Sequence, residues 1–254
     1  MLINNIEHKI SGDLSDKYYL HFLSAGSYGD DVSNFLTSII QDNWVCVDIG
    51  ANIGLTTILM LTSASNVSVI SFEPSPKNVS YLISNLNQNR YSNATVVPIG
   101  LGDEAGFAEF VDIPGFGAGS HVKSAADHPD AIDVTTVAIK IDTLDNYFSK
   151  LNLERLDLVK IDAEGYELNV IAGCKEVFKK FKPLVIIEFN SWFMTSVQKV
   201  NPLDVLNILF DIFKGLSVIS EEGLRPIENS DAGKREFIKH NNEHGCVDNL
   251  LGYL

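Results

Sequence analysis

Basic residues are scarce in this 254-residue chain: 19 lysines and arginines stand against 33 aspartates and glutamates, a net charge of −14. A phosphate backbone is held by a basic face, so a nucleic-acid substrate is disfavoured. Cysteine is equally sparse. Cys46, Cys174 and Cys246 are odd in number and share no paired spacing, which excludes a disulfide framework. Cys46 falls within an apolar run and reads as a small core residue. Apolar runs stop well short of the ~20 residues that a membrane span needs. No charged-then-apolar leader opens the chain, so the expectation is a cytoplasmic protein with no membrane partner. In that compartment the glycosylation-like triplets at Asn66, Asn78 and Asn93 carry no meaning. Internal repeats and low-complexity segments are absent as well.

What is present is ordinary globular composition, 45% hydrophobic and 20% charged, organised around Trp44–Met60. Trp44, Val45, Cys46 and Val47 are strand formers that end in Asp48; Gly50-Ala51-Asn52-Ile53-Gly54 follows, and then an apolar helical pattern. A strand, a tight glycine turn and a helix present backbone N–H groups to a polar or anionic ligand. A second strand, Ser68–Phe72, ends at Glu73-Pro74, where a carboxylate can accept from both hydroxyls of a ribose. The dinucleotide fingerprint requires glycine at 52 and 55, and the chain has Asn52 and Leu55. Asparagine enters left-handed backbone at modest cost, but its bulk limits the approach of a pyrophosphate. S-adenosylmethionine, a nucleoside without phosphate, fits this turn better than NAD does, which disfavours the rival reading of a nicotinamide-dependent oxidoreductase.

From residue 44 strands and helices alternate: strands 44–48, 67–73 and 94–99, helices 53–64 and 76–89. That rhythm predicts an α/β fold with a parallel sheet and right-handed crossovers. Before it, a short strand is expected at Tyr18–Leu23, and a helix from Asp30 or Asp31 to Ile40. Residues 1–43 read as a segment packed on the core, and 44–254 as the main domain. Tyr28 either closes over a cofactor or packs the adjoining turn; packing is the simpler reading. The alternation breaks at about 104–141, where extended segments Glu104–Asp112 and Asp133–Ile141 flank the glycine-rich stretch Gly115–His121. This insertion reads as a substrate-facing loop. Further on come a short helix at 144–149, a strand at 156–161, a helical stretch to about Lys180, a strand at 183–189, a helix at 202–213 and a strand at 216–220. The tail from Cys246 is expected to return as an antiparallel strand.

Asp48, Glu73 and Asp162 end successive parallel strands, and Asp103 follows the third in Gly100-Leu101-Gly102-Asp103. Strand ends of an open α/β sheet converge on one crevice. The cofactor set is therefore Asp48, Gly50, Ala51, Asn52, Gly54, Glu73, Pro74, Gly102 and Asp103. Gly50 and its neighbours hold the amino-acid tail, Glu73 the ribose and Asp103 the adenine edge. Lys160 interrupts an apolar strand and needs a carboxylate partner, Asp48 or Glu188 on the flanking strands.

The segments VDIGANIG (47–54), FEPSPKNVSYLISNLNQN (72–89), TLDNYF (143–148), LVKIDAEGYELNVIAG (158–173) and PLVIIEFN (183–190) resemble the FkbM-type family of S-adenosylmethionine-dependent methyltransferases. The resemblance covers roughly residues 44–190. It implies a seven-stranded, mostly parallel, Rossmann-like class I methyltransferase sheet with helices on both faces. It also implies an O-methyltransferase acting on a hydroxyl of a sugar, glycan or small hydroxylated metabolite. Gly100 stands where the family usually has alanine, and the loop 112–131 has no family wording, so acceptor choice falls to that loop and to residues 191–254.

An alcohol loses its proton as it attacks, so a base within hydrogen-bond reach is expected. The candidates are Asp162, then His121, then Glu188. No metal ligands are assigned. The alternative is a metal-assisted transfer with Asp162, Glu164 and Glu188 holding Mg²⁺, although Glu164 reads more simply as a helix-start acid. A catalytically silent cofactor-binding subunit is the remaining rival.

Overall fold

The computed structural model describes residues 1–115, 119–123 and 134–254. Among the described residues the main sheet has eight strands: β1 (Val45–Ile49), β2 (Ser68–Phe72), β3 (Ala94–Val97), β4 (Leu158–Ile161), β5 (Leu184–Asn190), β6 (Gly215–Ser220), β7 (Gly223–Pro226) and β8 (Val247–Tyr253). Their order is β3-β2-β1-β4-β5-β8-β6-β7. The pairings among β1 to β5 are all parallel. Those of β8 with β5, β8 with β6, and β6 with β7 are antiparallel.

The expected α/β architecture is present, but the sheet is mixed and has eight strands, not seven that are mostly parallel. The tail does return as β8. The additional strand is β7, which folds back on β6 through Glu221 and Glu222, with its own first residue, Gly223, at φ +110°. The two connecting residues are both glutamate, and no long apolar run announces the hairpin.

Alternation along the strands divides the core into two layers. Val47, Ile49, Val159, Ile161, Val185 and Ile187 face one cluster, while Cys46, Leu158 and Ile186 face the other. Each fully buried aliphatic side chain contributes about 1.5–3 kcal/mol relative to exposure. Both faces being apolar explains the continuous hydrophobic runs of the central strands.

The N-terminal segment corrects one expectation. Lys17–Ala25 is helical, not a strand at Tyr18–Leu23. The aromatic residues favour a strand locally, but Asp16 caps the first turn by accepting from the Tyr19 N–H at 2.9 Å, and Gly26 ends the helix at φ +71°. Asp31–Ile39 forms the next helix. Leu2–Ile3, Ile6–Glu7 and Ser27–Tyr28 make a small sheet beside them.

The interruption of the main rhythm builds a second sheet from Gly100–Leu101, Gly106–Asp112, His121–Val122 and Thr135–Asp142. Both expected extended segments are there, paired antiparallel with Thr136 opposite Val111. Asp133 and residues 116–118 and 124–132 of the expected substrate loop lie outside the described residues. The helical stretch expected to reach Lys180 divides into Glu167–Ala172 and Lys175–Phe181. The break falls at Gly173, where a Cβ would lie 2.0 Å from the Gly102 carbonyl oxygen. Helices Ser191–Ser196 and Asp231–Glu243 were not expected. Among the described residues no helix is long and apolar enough to cross a membrane.

Candidate active site

The glycine turn after β1 is built by backbone conformations that few residues tolerate. Gly50, Asn52 and Gly54 have φ of +79°, +49° and +92°. Asn52 thus takes the left-handed backbone expected of it, since its short amide side chain makes that region accessible. A Cβ on Gly50 would lie 1.7 Å from the carbonyl oxygen of Asp162. Glycine here lets the turns after β1 and β4 touch, and that contact brings the two halves of the site together.

Glu73, at the end of β2, clamps this turn. One carboxylate oxygen accepts from the Asn52 N–H at 2.9 Å; the other accepts from the Ser75 N–H at 2.9 Å and from the Asn78 amide at 3.4 Å. Burial pushes its carboxyl up to about 7, against the hydrogen bonds from Ser75 and Asn52 that favour the charged form.

These elements enclose a cavity of about 390 Å³, within the range of small-molecule sites. Of the sequence-derived residues, Gly50, Ala51, Asn52, Glu73, Pro74, Asp162 and Glu188 line it. Asp48 does not. It is fully buried, accepts from the Thr57 hydroxyl at 2.6 Å, and keeps its other oxygen unpartnered. Burial raises the Asp48 carboxyl, opposed by the charge of Lys160. Gly54 caps the following helix. Gly102 is packed against the Tyr166 ring, and Asp103 is exposed and accepts from the Asn169 amide at 3.3 Å. His121 is buried between two cavity residues, Ser120 and Val122, but is not itself one. Alternation along the extended segment turns its ring the other way, edge-on to Phe193 at 5.1 Å.

The part of the cavity beside Asp162 holds a concentration of charge. Lys160 is buried and pairs with Asp162 at 2.7 Å, two residues along its own chain, not with Asp48 or Glu188 on the flanking strands. Residues two apart share one face of a strand, so the nearest carboxylate is the local one. Burial opposes the ammonium, but Asp162 and Asp48 outweigh it and hold Lys160 above its ordinary value. Glu164 is no helix-start acid: it sits in the left-handed region at φ +49°, three residues before the helix begins. Glu167 takes that place, accepting from the Ala163 and Gly165 N–H groups at 3.0 Å each. Burial raises both Glu164 and Glu188, and neighbouring carboxylates add to it.

Sequence reasoning missed Tyr18, Asp30, Tyr166 and Asn249, all of which line the cavity. Tyr18 and Asp30 come from the N-terminal segment, which carries no motif. Asn249 is brought in by β8, opposite Glu188. Tyr28 lines the cavity and shares a hydrogen bond with the Thr56 hydroxyl at 2.7 Å.

Residues 48–216 match the methyltransferase FkbM domain. The hexuronic acid methyltransferase AglP of Haloferax volcanii is 27% identical over 181 residues, 70% of this chain and 66% of its own length. Methyltransferase 1 of Beauveria bassiana is 26% identical over 58% of this chain and 65% of its own length. The chain thus spans just under two thirds of both relatives. Among solved structures, the FkbM methyltransferase of Methylobacillus flagellatus superposes with a TM-score of 0.50 at 18% identity, covering 84% of this chain and 44% of that one. An O-methyltransferase of Bacillus cereus, solved in complex with SAH, has a TM-score of 0.50 at 12% identity and covers 96% and 93%. These two likenesses establish the class of fold, and the domain match, running from Asp48 in β1 to the start of β6, shows the family: the chain belongs to the FkbM methyltransferase family.

Proposed function

We propose that the protein is an S-adenosylmethionine-dependent O-methyltransferase whose acceptor is a hydroxyl of a sugar, glycan or small hydroxylated metabolite. The observation that carries this reading is the shared cavity: the Glu73-clamped turn and Asp162 line one partly open cleft. Gly50, Ala51, Asn52 and Glu73 line the space this cofactor would take. Glu73 keeps lone pairs for ribose hydroxyls beyond its backbone bonds, and the main chain of residues 50–54 receives the amino-acid tail. When bound, S-adenosylmethionine supplies an electrophilic methyl group.

The chain's own residues position the acceptor and take its proton. Holding two reactants in contact lowers a barrier by up to ~7–11 kcal/mol, so an enclosed site is the larger part of the catalysis. Asp162 is the base. One of its oxygens is tied to Lys160, which fixes the carboxylate's orientation, and the residue lines the cavity. Glu188 is the second candidate. The hexuronic acid in AglP's name supports a sugar or sugar acid as the acceptor.

The test is transfer of label from methyl-labelled cofactor to a panel of sugars and nucleotide sugars, with the product identified by mass spectrometry and NMR. A methyl ether is the expected product. Label on nitrogen or carbon, or no transfer alongside NAD-dependent oxidation of the same panel, overturns the reading.

A further inference from the structure

We propose that Asp162, Glu164 and Glu188 bind one divalent cation of the Mg²⁺ class at the acceptor end of the cavity. Its role in holding an acceptor hydroxyl rests on the methyl-transfer reading; its existence does not. Each of the three residues offers one oxygen, and these atoms all lie within 4.8 Å of one another. They reach this point from separate places: Asp162 and Glu164 from the turn after β4, Glu188 from β5. All three line the cavity, so an ion can enter.

An independent observation comes from Glu188. Its Oε2 is buried and has no hydrogen-bond partner among the described residues. Leaving a buried carboxylate oxygen without a donor is costly, and the ammonium nearest by, on Lys160, is bonded to Asp162. The cluster therefore gathers more negative charge than the protein itself compensates. A hard cation takes oxygen ligands of this kind and fills the remaining positions with water or a substrate hydroxyl. Asn249 stands opposite Glu188 across β5 and β8 and also lines the cavity, within reach of the same region. A shared proton satisfies two carboxyl groups, whereas three oxygens gathered beside an amide match a cation better.

The chemistry balances without any redox partner. The held hydroxyl loses its proton to a carboxylate of the cavity, its oxygen gains the methyl carbon, and the sulfur keeps the electron pair of the bond that breaks.

The experiment titrates the full chain with Mn²⁺, following free ion by electron paramagnetic resonance, and measures S-adenosylhomocysteine binding by calorimetry on the same preparations. The expected result is one Mn²⁺ per chain at sub-millimolar dissociation constant, displaced by Mg²⁺. Glu164→Gln and Glu188→Gln each weaken it at least about tenfold while changing homocysteine-ligand affinity less than about twofold. Glu109→Gln, on the exposed pair with Lys123, leaves it unchanged. No saturable site at millimolar Mn²⁺, or equal binding by wild type and all variants, overturns the proposal. If both Gln variants fail to fold, the wild-type stoichiometry and a Mn²⁺-induced rise in Tm decide. Wild type that binds Mn²⁺ but not the homocysteine ligand upholds the cation site and defeats the methyl-transfer reading, and the converse result does the opposite.

Discussion

Gly50 joins the halves of the site, because its missing side chain is what lets the turn after β1 meet the Asp162 carbonyl. Gly50→Ala places a Cβ 1.7 Å from that oxygen at a backbone φ of +79°. Both the clash and the left-handed backbone oppose it, so a loss on the order of 3–4 kcal/mol is expected in urea unfolding. Gly106 has open space around its Cβ position and no positive φ, so Gly106→Ala is expected to stay within about 0.5 kcal/mol. A second residue-scale prediction concerns pH. Burial pushes the Glu167 carboxyl from 4.5 up to about 7, so the folded chain holds that proton more tightly than the unfolded one. The stability this contributes is complete below about 4.5 and is lost as pH rises through about 7. Glu167→Gln has no proton to lose and can still accept from Ala163 and Gly165. Relative to wild type it is expected to gain up to about 3 kcal/mol between pH 4.5 and pH 8, measured by urea unfolding at each pH.

At the scale of elements, the N-terminal segment is tied over the cavity by the bond between Tyr28 and Thr56 at 2.7 Å. Tyr28→Phe removes that bond and keeps the ring, so unfolding stability is expected to fall by about 1 kcal/mol. An unchanged urea midpoint would show that the tie contributes nothing. This segment also marks where the sequence stopped being legible. The strand–turn–helix around Gly50 was readable because Gly50, Asn52 and Gly54 each answer a local backbone demand. Glu73 and Asp162 were readable as acids ending parallel strands, and both line the cavity. Tyr18, Asp30 and Asn249 were not, because nothing in their neighbourhoods fixes which part of the sheet they meet. Their positions depend on pairings between segments far apart in the chain. His121 differs for another reason: its neighbours Ser120 and Val122 line the cavity, but a one-residue alternation decides which way its ring faces, and no motif sets that register.

For the molecule as a whole, the acidic surface and the cavity lead to one comparison between ligands. A ligand that binds only the folded chain stabilises it by RT ln(1 + [L]/Kd), about 2.7 kcal/mol at a hundredfold excess over Kd. In a chain of 254 residues, that corresponds to a rise in Tm on the order of 5–10 °C. S-adenosylhomocysteine is expected to produce it. NAD is not, because Asn52 and Leu55 occupy the positions where a pyrophosphate needs glycine, and a net charge of −14 gives two phosphates little attraction. The measurement is a thermal unfolding series with each ligand at low and at moderate salt. Moderate salt screens the general field of the chain but leaves the enclosed contacts of Glu73 and Asn52 largely intact. The rise with S-adenosylhomocysteine is therefore expected at both salt concentrations. A rise with NAD that exceeds it would mean that the turn accepts a pyrophosphate after all, and the methyl donor would lose its place in the cavity.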